Sequence, residues 1–146
     1  LRPLIRFNTR QNDSSAAMVV IFGDMKSQTN AEEIYGNAVK HDLMPEEVKQ
    51  EMLEKVIPLY DNAPKEQMND IVKIDSSLAA MQFMLVAKAH GYDTNPIGGF
   101  ESDQIADAFG IDSERYVPVV IVAIGKAKNP AHGSYRLPTE TVTKYV

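Results

Sequence analysis

The stretch DIVKIDSSLAAMQFMLVAKAHGYDTNPIGGF, residues 70–100, decides the fold of this chain. Its first twenty residues place apolar side chains at alternating spacings of three and four, the period of a helix with an apolar stripe. That stripe consists of Ile71, Ile74, Leu78, Met81 and Leu85. We predict a helix over residues 64–90, opened by Pro64 and ended by Gly91 in a left-handed conformation.

A second apolar stripe on the same helix is formed by Val72, Ala79, Phe83 and Val86. A helix with two such stripes either lies inside the core or packs on its own sheet while facing another subunit. The small residues of the segment 76–80 would permit close approach of a second helix. Periodicity alone leaves both arrangements open.

Two short apolar runs, residues 16–22 and 117–124, indicate strands because of their length and β-branched content. Neither run alternates, which indicates that each strand is covered on both faces. Helical segments do not alternate regularly with these strands. The pattern therefore favours a single α+β domain over residues 1–146.

Three shorter helices are also predicted. One begins at Asn30, which has the capping-box spacing to Glu33, and runs to residue 39. A second spans residues 45–57 and is expected to stop at Pro58, because proline lacks the N–H that a helix interior needs. A third spans residues 102–109 and is capped by Gly110.

Composition excludes several classes of function. The net charge of −5 argues against a general nucleic-acid binder, which needs basic groups to neutralise phosphates. The chain has no cysteine, and its three histidines lack metal-ligand spacing, so we expect no metal site. No apolar run approaches the roughly 20 residues of a membrane helix, and a cytoplasmic protein is expected. The chain starts at Leu1 without methionine, and we expect that a segment precedes it.

Side chains for acid–base or nucleophilic catalysis are poorly placed. Asp75, Ser76 and Ser77 could form part of a hydrolase triad only with a strained nucleophile turn, and these residues fall inside the predicted helix. Paired carboxylates such as Glu32–Glu33 and Glu46–Glu47 stand at helix starts, where they are better explained as solvated residues near the positive end of the helix dipole. The chain also has no Walker-type or Gly-x-Gly-x-x-Gly phosphate loop.

The segment Pro96-Ile97-Gly98-Gly99-Phe100 is the remaining candidate site. Its two glycines offer backbone N–H groups without side-chain shielding, and such a loop can lie against a planar ring and donate a hydrogen bond to it. The alternative is a plain turn between two helices. Two other segments favour a ligand: the loop with Asn8 and Gln11 before the first strand, and Arg136 after the last strand. An arginine can bind a phosphate through two hydrogen bonds.

In this order the segments resemble the FMN-dependent nitroreductase family, and most closely its small bacterial branch of NAD(P)H nitroreductases. The matching motifs are the Asn8 loop before Val-Val-Ile-Phe, the helix ending in Gly-Tyr-Asp-Thr, the turn at residues 96–100, the strand at 117–124 and Arg136-Leu137-Pro138. The resemblance covers nearly the whole chain. It implies a mixed, mainly antiparallel sheet flanked by helices, with the long helix buried centrally at a dimer interface. It also implies a homodimer with FMN at the subunit interface, each site being built from both subunits.

The resemblance also implies roles for individual residues. The loop of Pro96, Ile97, Gly98 and Gly99 would border the flavin and donate a main-chain N–H toward its N5 atom. Asn8 matches a position that hydrogen-bonds the pyrimidine side of the ring. Gln11 stands where relatives often have lysine, and Arg136 matches a phosphate-binding arginine. The family's amino-terminal, arginine-rich phosphate-binding segment has no counterpart in this chain.

For function, the resemblance implies that NAD(P)H reduces the flavin and that an electron-poor aromatic acceptor, a nitroaromatic or a quinone, then replaces it in a ping-pong cycle. The cofactor carries the chemistry and no side chain acts as acid or base. The C-terminal residues 141–146 alternate like a strand, which we expect to extend onto the partner subunit. Two alternatives stay open: a flavin-binding redox sensor or carrier without turnover, and a structural dimeric domain without a ligand.

Overall fold

A computed structural model describes the whole chain, residues 1–146. Three strands form one sheet: β1 (Ala17–Asp24), β2 (Asp93–Ile97) and β3 (Tyr116–Gly125). The α-helices are α1 (Thr9–Ser14), α2 (Ala31–Lys40), α3 (Glu46–Asp61), α4 (Lys65–Ala89), α5 (Ile105–Ala108) and α6 (Thr139–Val142). Short 3-10 helices span Arg2–Leu4 and Ser27–Asn30. The prediction of an α+β fold is confirmed, and no helix has the length and apolarity needed to span a membrane.

The sheet has the order β1-β3-β2, with β3 antiparallel to both neighbours. β1 and β3 are the two strands predicted from the apolar runs. β2 was not predicted, because it contains Asn95 and Pro96, residue types that are rare in strands. β2 is an edge strand, where a proline without an N–H is tolerated. The segment predicted as a loop at Pro96 therefore begins as a strand, and only Gly98 and the residues after it leave the sheet.

One face of the sheet is covered by the N-terminal segment and by the residues that follow β2. Ile97 and Ile121 are opposite each other in β2 and β3, and their side chains are at most 1% exposed. Ile5, Phe100 and Ile105 pack against them in the same buried cluster. This packing anchors the chain immediately before and after Gly98 and Gly99, which positions the candidate site.

α4 covers the opposite face of the sheet. Its length and its termination at Gly91, which has a φ of 79°, confirm the predicted helix. A Cβ on Gly23 of β1 would lie only 2.8 Å from the side chain of Val72, so glycine permits the close approach of this strand and α4. The buried residues of α4 are Met68, Val72, Ala80 and Ala87.

The first predicted stripe of α4 lies largely outside this packing. Ile74, Leu78, Met81 and Leu85 are 50–66% exposed in the single chain. On the second stripe Val72 is buried and Phe83 half-buried, while Ala79 and Val86 are exposed. Within one chain α4 therefore packs on its own sheet and leaves an apolar face uncovered. We call Ile74, Leu78, Met81 and Leu85 the α4 apolar face.

Two helix boundaries differ from prediction for local reasons. α3 continues through Pro58 to Asp61, because the missing N–H removes one hydrogen bond while later N–H groups still find acceptors. Asn62 donates both its main-chain N–H and its side-chain amide to the Pro58 carbonyl. Asn30 makes no capping hydrogen bond through its side chain, because it ends a 3-10 helix and already has helical backbone angles.

The two last predicted elements are also corrected. The helix expected over residues 102–109 is reduced to α5, because residues 102–104 form a turn after Glu101. The terminus expected as a strand instead begins with the single turn of α6, after which Thr143 has extended backbone angles. Residues 126–146 are exposed throughout, so no neighbouring strand is available to pair with them within the chain.

Candidate functional site

Gly98 and Gly99 lie between two anchored segments. Before them, Ile97 pairs with Ile121 in the sheet. After them, Phe100 forms an isolated antiparallel bridge with Ile5. In that bridge the Arg6 N–H donates to the Gly99 carbonyl at 2.9 Å, and the Glu101 N–H donates to the Leu4 carbonyl at 2.8 Å. The two glycines therefore span a short gap whose ends are both fixed.

The backbone N–H groups of Gly98 and Gly99 donate to no acceptor in the chain. Gly98 is exposed, and a Cβ at that position would meet nothing within 4 Å. Gly99 is half-buried and lies under the ring of Phe7, which would be 3.3 Å from its Cβ. Two adjacent, accessible donors on an anchored segment can bind a ligand that presents acceptor atoms along a flat edge.

Pro96 and Ile97 can contribute less than was predicted from the sequence. The Ile97 side chain is in the core and 1% exposed, so only its main chain could contact a ligand. Pro96 is exposed on the edge strand. Alternation along β2 places their side chains on opposite faces of the sheet.

Asn8 contacts β2 at Asn95, one residue before Pro96. Its amide donates to the side-chain oxygen of Asn95 over 3.4 Å, and both residues are half-buried. That bond leaves the side-chain oxygen of Asn8 free to accept another hydrogen bond. Gln11 lies one turn further along α1 and is also half-buried. Asn95 was not predicted from the sequence as a site residue. If β2 is recognised as a strand, Asn95 lies on the same face as Ile97, because side chains two residues apart in a strand share a face.

Sequence reasoning also missed an ion pair beside the glycines. Arg6 donates to Glu101 through two nitrogens, at 2.9 and 3.0 Å. The hydrogen bonds from the Arg6 guanidinium lower the pKa of the Glu101 carboxyl. These two residues are 95 positions apart, and no local motif connects them.

Arg136 is not brought to the other candidate residues within the chain. It lies in the exposed C-terminal segment, and its only side-chain hydrogen bond is to the carbonyl of Tyr135. That segment is attached to the sheet near its start, where the Ala127 N–H donates to Asp93. The structure thus joins Asn8 to Asn95 on the strand that leads into Gly98 and Gly99, and it gives Arg136 no hydrogen bond to any of these residues.

The site offers hydrogen bonds and no nucleophile. Its donors are main-chain N–H groups and carboxamides, and the charged side chains of the adjoining bridge, Arg6 and Glu101, pair with each other. Ser77 of α4 is also unsuited to attack a substrate, since its hydroxyl donates to the carbonyl of Lys73 in its own helix. Such a site can bind and orient a planar group that itself performs the chemistry.

Comparison with known proteins identifies similar chains along nearly the whole length. The sequence profile described as "Nitroreductase family" matches residues 56–126. A candidate NAD(P)H nitroreductase of Bacillus subtilis strain 168, YdgI, is 43% identical over 99% of this chain and 69% of its own length.

Two solved structures share the fold. A candidate NAD(P)H:FMN oxidoreductase of Staphylococcus epidermidis is 53% identical with a TM-score of 0.97, over 99% of this chain and 68% of that one. A candidate nitroreductase of Exiguobacterium sibiricum, solved in complex with FMN, is 48% identical with a TM-score of 0.95, over 99% and 69%. With this identity across almost every element described above, the chain is a member of the nitroreductase family of oxidoreductases.

Proposed function

We propose that this chain is an FMN-dependent oxidoreductase that passes hydride from NAD(P)H, by way of flavin N5, to nitroaromatic or quinone acceptors in a ping-pong cycle. The observation that carries the proposal is the pair of free N–H donors at Gly98 and Gly99, at the end of a strand whose Asn95 is bound by the carboxamide of Asn8. FMN and NAD(P)H are the cofactor and donor that the family and the FMN-bound relative support.

The residues of the site fit a flavin. An isoalloxazine ring presents acceptor nitrogens and oxygens along its edges, and the glycine N–H groups are donors without side chains in the way. Asn8 keeps an acceptor oxygen free for the N–H on the pyrimidine side, and Gln11 offers a donor on the same helix. Pro96 borders the ring through its exposed surface, and Ile97 borders it through its main chain. Arg136 is the proposed phosphate ligand.

In this proposal the side chains bind and orient, and none transfers a proton. Donors fixed before the reaction stabilise developing negative charge without the cost of reorganisation. The carboxamide contacts set which edge of the ring faces the glycines.

We further propose a homodimer in which a second copy of the chain covers the α4 apolar face. The four residues of that face are half or more exposed, and in water this exposure is unfavourable by roughly 25 cal/mol for each Å². The exposed segment 126–146 carries Tyr135, Leu137 and Val142, which would be buried if it lay on the partner. Such an arrangement would also allow Arg136 to reach a flavin at the subunit interface. The cytoplasmic location stays a prediction.

The test starts from the purified protein. Bound flavin should give a yellow solution with flavin absorbance, and addition of NADPH with menadione or nitrofurazone should give steady NADPH oxidation. A colourless protein that does not take up added FMN would refute the proposal. Flavin binding without NADPH or NADH oxidation would instead support the sensor or carrier.

A further inference from the structure

We propose that the ion pair of Arg6 and Glu101 positions the N–H donors of Gly98 and Gly99 for the flavin edge. The proposal rests on the proposed function. It adds two positioning residues that do not themselves touch the cofactor. We call this pair the Arg6–Glu101 latch.

The latch joins the two chain segments that hold the glycines. Arg6 lies opposite Gly99 and Glu101 lies opposite Leu4, so the ion pair spans the bridge between Ile5 and Phe100 diagonally. The Arg6 main-chain N–H also holds the Gly99 carbonyl at 2.9 Å. Arg6 thus binds Gly99 through its main chain and binds Glu101, two residues later, through its side chain.

The geometry of the ion pair suits positioning more than stability. The side chains are 53% and 34% exposed, and an exposed ion pair contributes little to the free energy of unfolding. A bidentate arginine–carboxylate contact, however, fixes direction as well as distance, because two parallel hydrogen bonds resist rotation.

Glycine needs such support more than other residues do. Two consecutive residues without side chains have a wide choice of backbone angles, so their N–H groups lose orientation unless the flanking residues are held. Little else holds them here: Gly98 has no neighbour within 4 Å of a Cβ position, and Gly99 has only the Phe7 ring and Arg6. The ends of the segment must therefore supply the order.

The experiment compares two ligands that differ at one atom. FMN carries N5, which accepts a hydrogen bond, and 5-deaza-FMN has a C–H there, which does not. The variants are Arg6→Gln, Glu101→Gln and the exchange Arg6→Glu with Glu101→Arg. The control is Arg2→Gln, which breaks the similarly exposed ion pair of Arg2 and Asp13 away from the glycines.

We expect Arg6→Gln and Glu101→Gln each to weaken FMN binding about fivefold, the range of one hydrogen bond. Binding of 5-deaza-FMN should be unchanged, the exchange should restore FMN binding, and Arg2→Gln should bind both as the original chain does. Equal weakening for both ligands, or no weakening, would overturn the positioning role. An original chain that binds neither ligand would refute the proposed function itself.

A second measurement needs no cofactor. Backbone 15N relaxation of the ligand-free chain should show that the Gly98 and Gly99 amides become more mobile in Arg6→Gln and stay ordered in Arg2→Gln. Unchanged glycine mobility in Arg6→Gln would contradict the latch even if the flavin affinities changed, because the change would then have another origin.

Discussion

Gly23 and Gly98 differ in how strictly the packing around them requires glycine. Gly23 is required by packing, because Val72 of α4 lies within 2.8 Å of where a Cβ would be. Gly98 faces open space and has no steric need for glycine. Its importance in the proposed function comes from its N–H, which other residues also carry.

The first prediction compares these glycines. Gly23→Ala should lower the free energy of unfolding by about 1–3 kcal/mol, because a methyl group must be forced between β1 and α4. Gly98→Ala should change it by less than about 0.5 kcal/mol, because a Cβ at that position would meet nothing within 4 Å in the chain. Urea unfolding measures both. A Gly98→Ala variant as unstable as Gly23→Ala would mean that Gly98 packs against a second copy of the chain or a ligand.

Arg136 is the residue on which the proposed phosphate contact depends. Arg136→Ala should weaken FMN binding about tenfold or more, because a charge-assisted hydrogen bond contributes roughly 1.5–3 kcal/mol. Stability of the free chain should not change, since the side chain contacts only Tyr135. Lys128→Ala, another exposed cation of the same segment, is the control. Equal FMN affinity in the original chain and in Arg136→Ala would remove the phosphate assignment.

Among the elements, α4 links the fold to the proposed assembly. One side packs on the sheet through Met68, Val72, Ala80 and Ala87, and the α4 apolar face remains outside. Leu78→Glu should therefore produce a monomer, because burying an unpaired carboxylate in a subunit interface is costly. Light scattering during size-exclusion chromatography measures the mass.

The control for that substitution is Lys73→Glu, which changes an exposed residue on another side of α4. It should leave the mass unchanged. A monomeric original chain, or a Leu78→Glu variant that remains a dimer, would contradict the proposed role of the α4 apolar face.

α3 contains a destabilising residue, Pro58, that a single substitution can remove. Pro58 stands inside the helix, where it cannot donate to the carbonyl of Glu54 and where its ring crowds that turn. Pro58→Ala should raise the free energy of unfolding by about 1 kcal/mol or more, measured by urea unfolding. Ala63→Pro, outside the helix, is the contrasting variant. The Ala63 N–H donates to the Tyr60 carbonyl, so replacing it by proline should destabilise the chain. A loss of stability in Pro58→Ala would show that proline is favoured here by its effect on the unfolded chain.

Across the whole molecule, hydrogen bonds to carboxyl groups make stability depend on pH. Folding lowers the pKa of six carboxyl groups: Asp13, Asp24, Glu46, Glu51, Asp93 and Glu101. Asp24 is the most enclosed, and hydrogen bonds from Arg115 are the main cause of its lowered pKa. A carboxyl whose pKa is lower in the folded chain stabilises it above the unfolded pKa of roughly 4, and this contribution is lost as the pH falls through the folded pKa.

The unfolding free energy should therefore decrease as the pH is lowered from about 5 to about 2. Asp24→Asn should be less stable than the original chain at pH 7 and should approach it as the pH falls, since the original carboxyl becomes protonated. Asp70→Asn, at an exposed residue without an ion pair, should stay parallel to the original chain. A constant difference between Asp24→Asn and the original chain over this range would contradict the role of the Arg115 pair.

The sequence by itself determined α4, the strands β1 and β3, and the α+β class. Periodicity, helix caps and β-branched runs act over a few neighbouring residues, so they can be recognised locally. Only the tertiary structure decided that Pro96 belongs to an edge strand, because that depends on the neighbouring strand β3. It also decided which face of α4 is covered and that Arg6 meets Glu101, since these contacts join residues far apart in the chain. Local patterns therefore predicted the elements, and packing between distant segments produced the site.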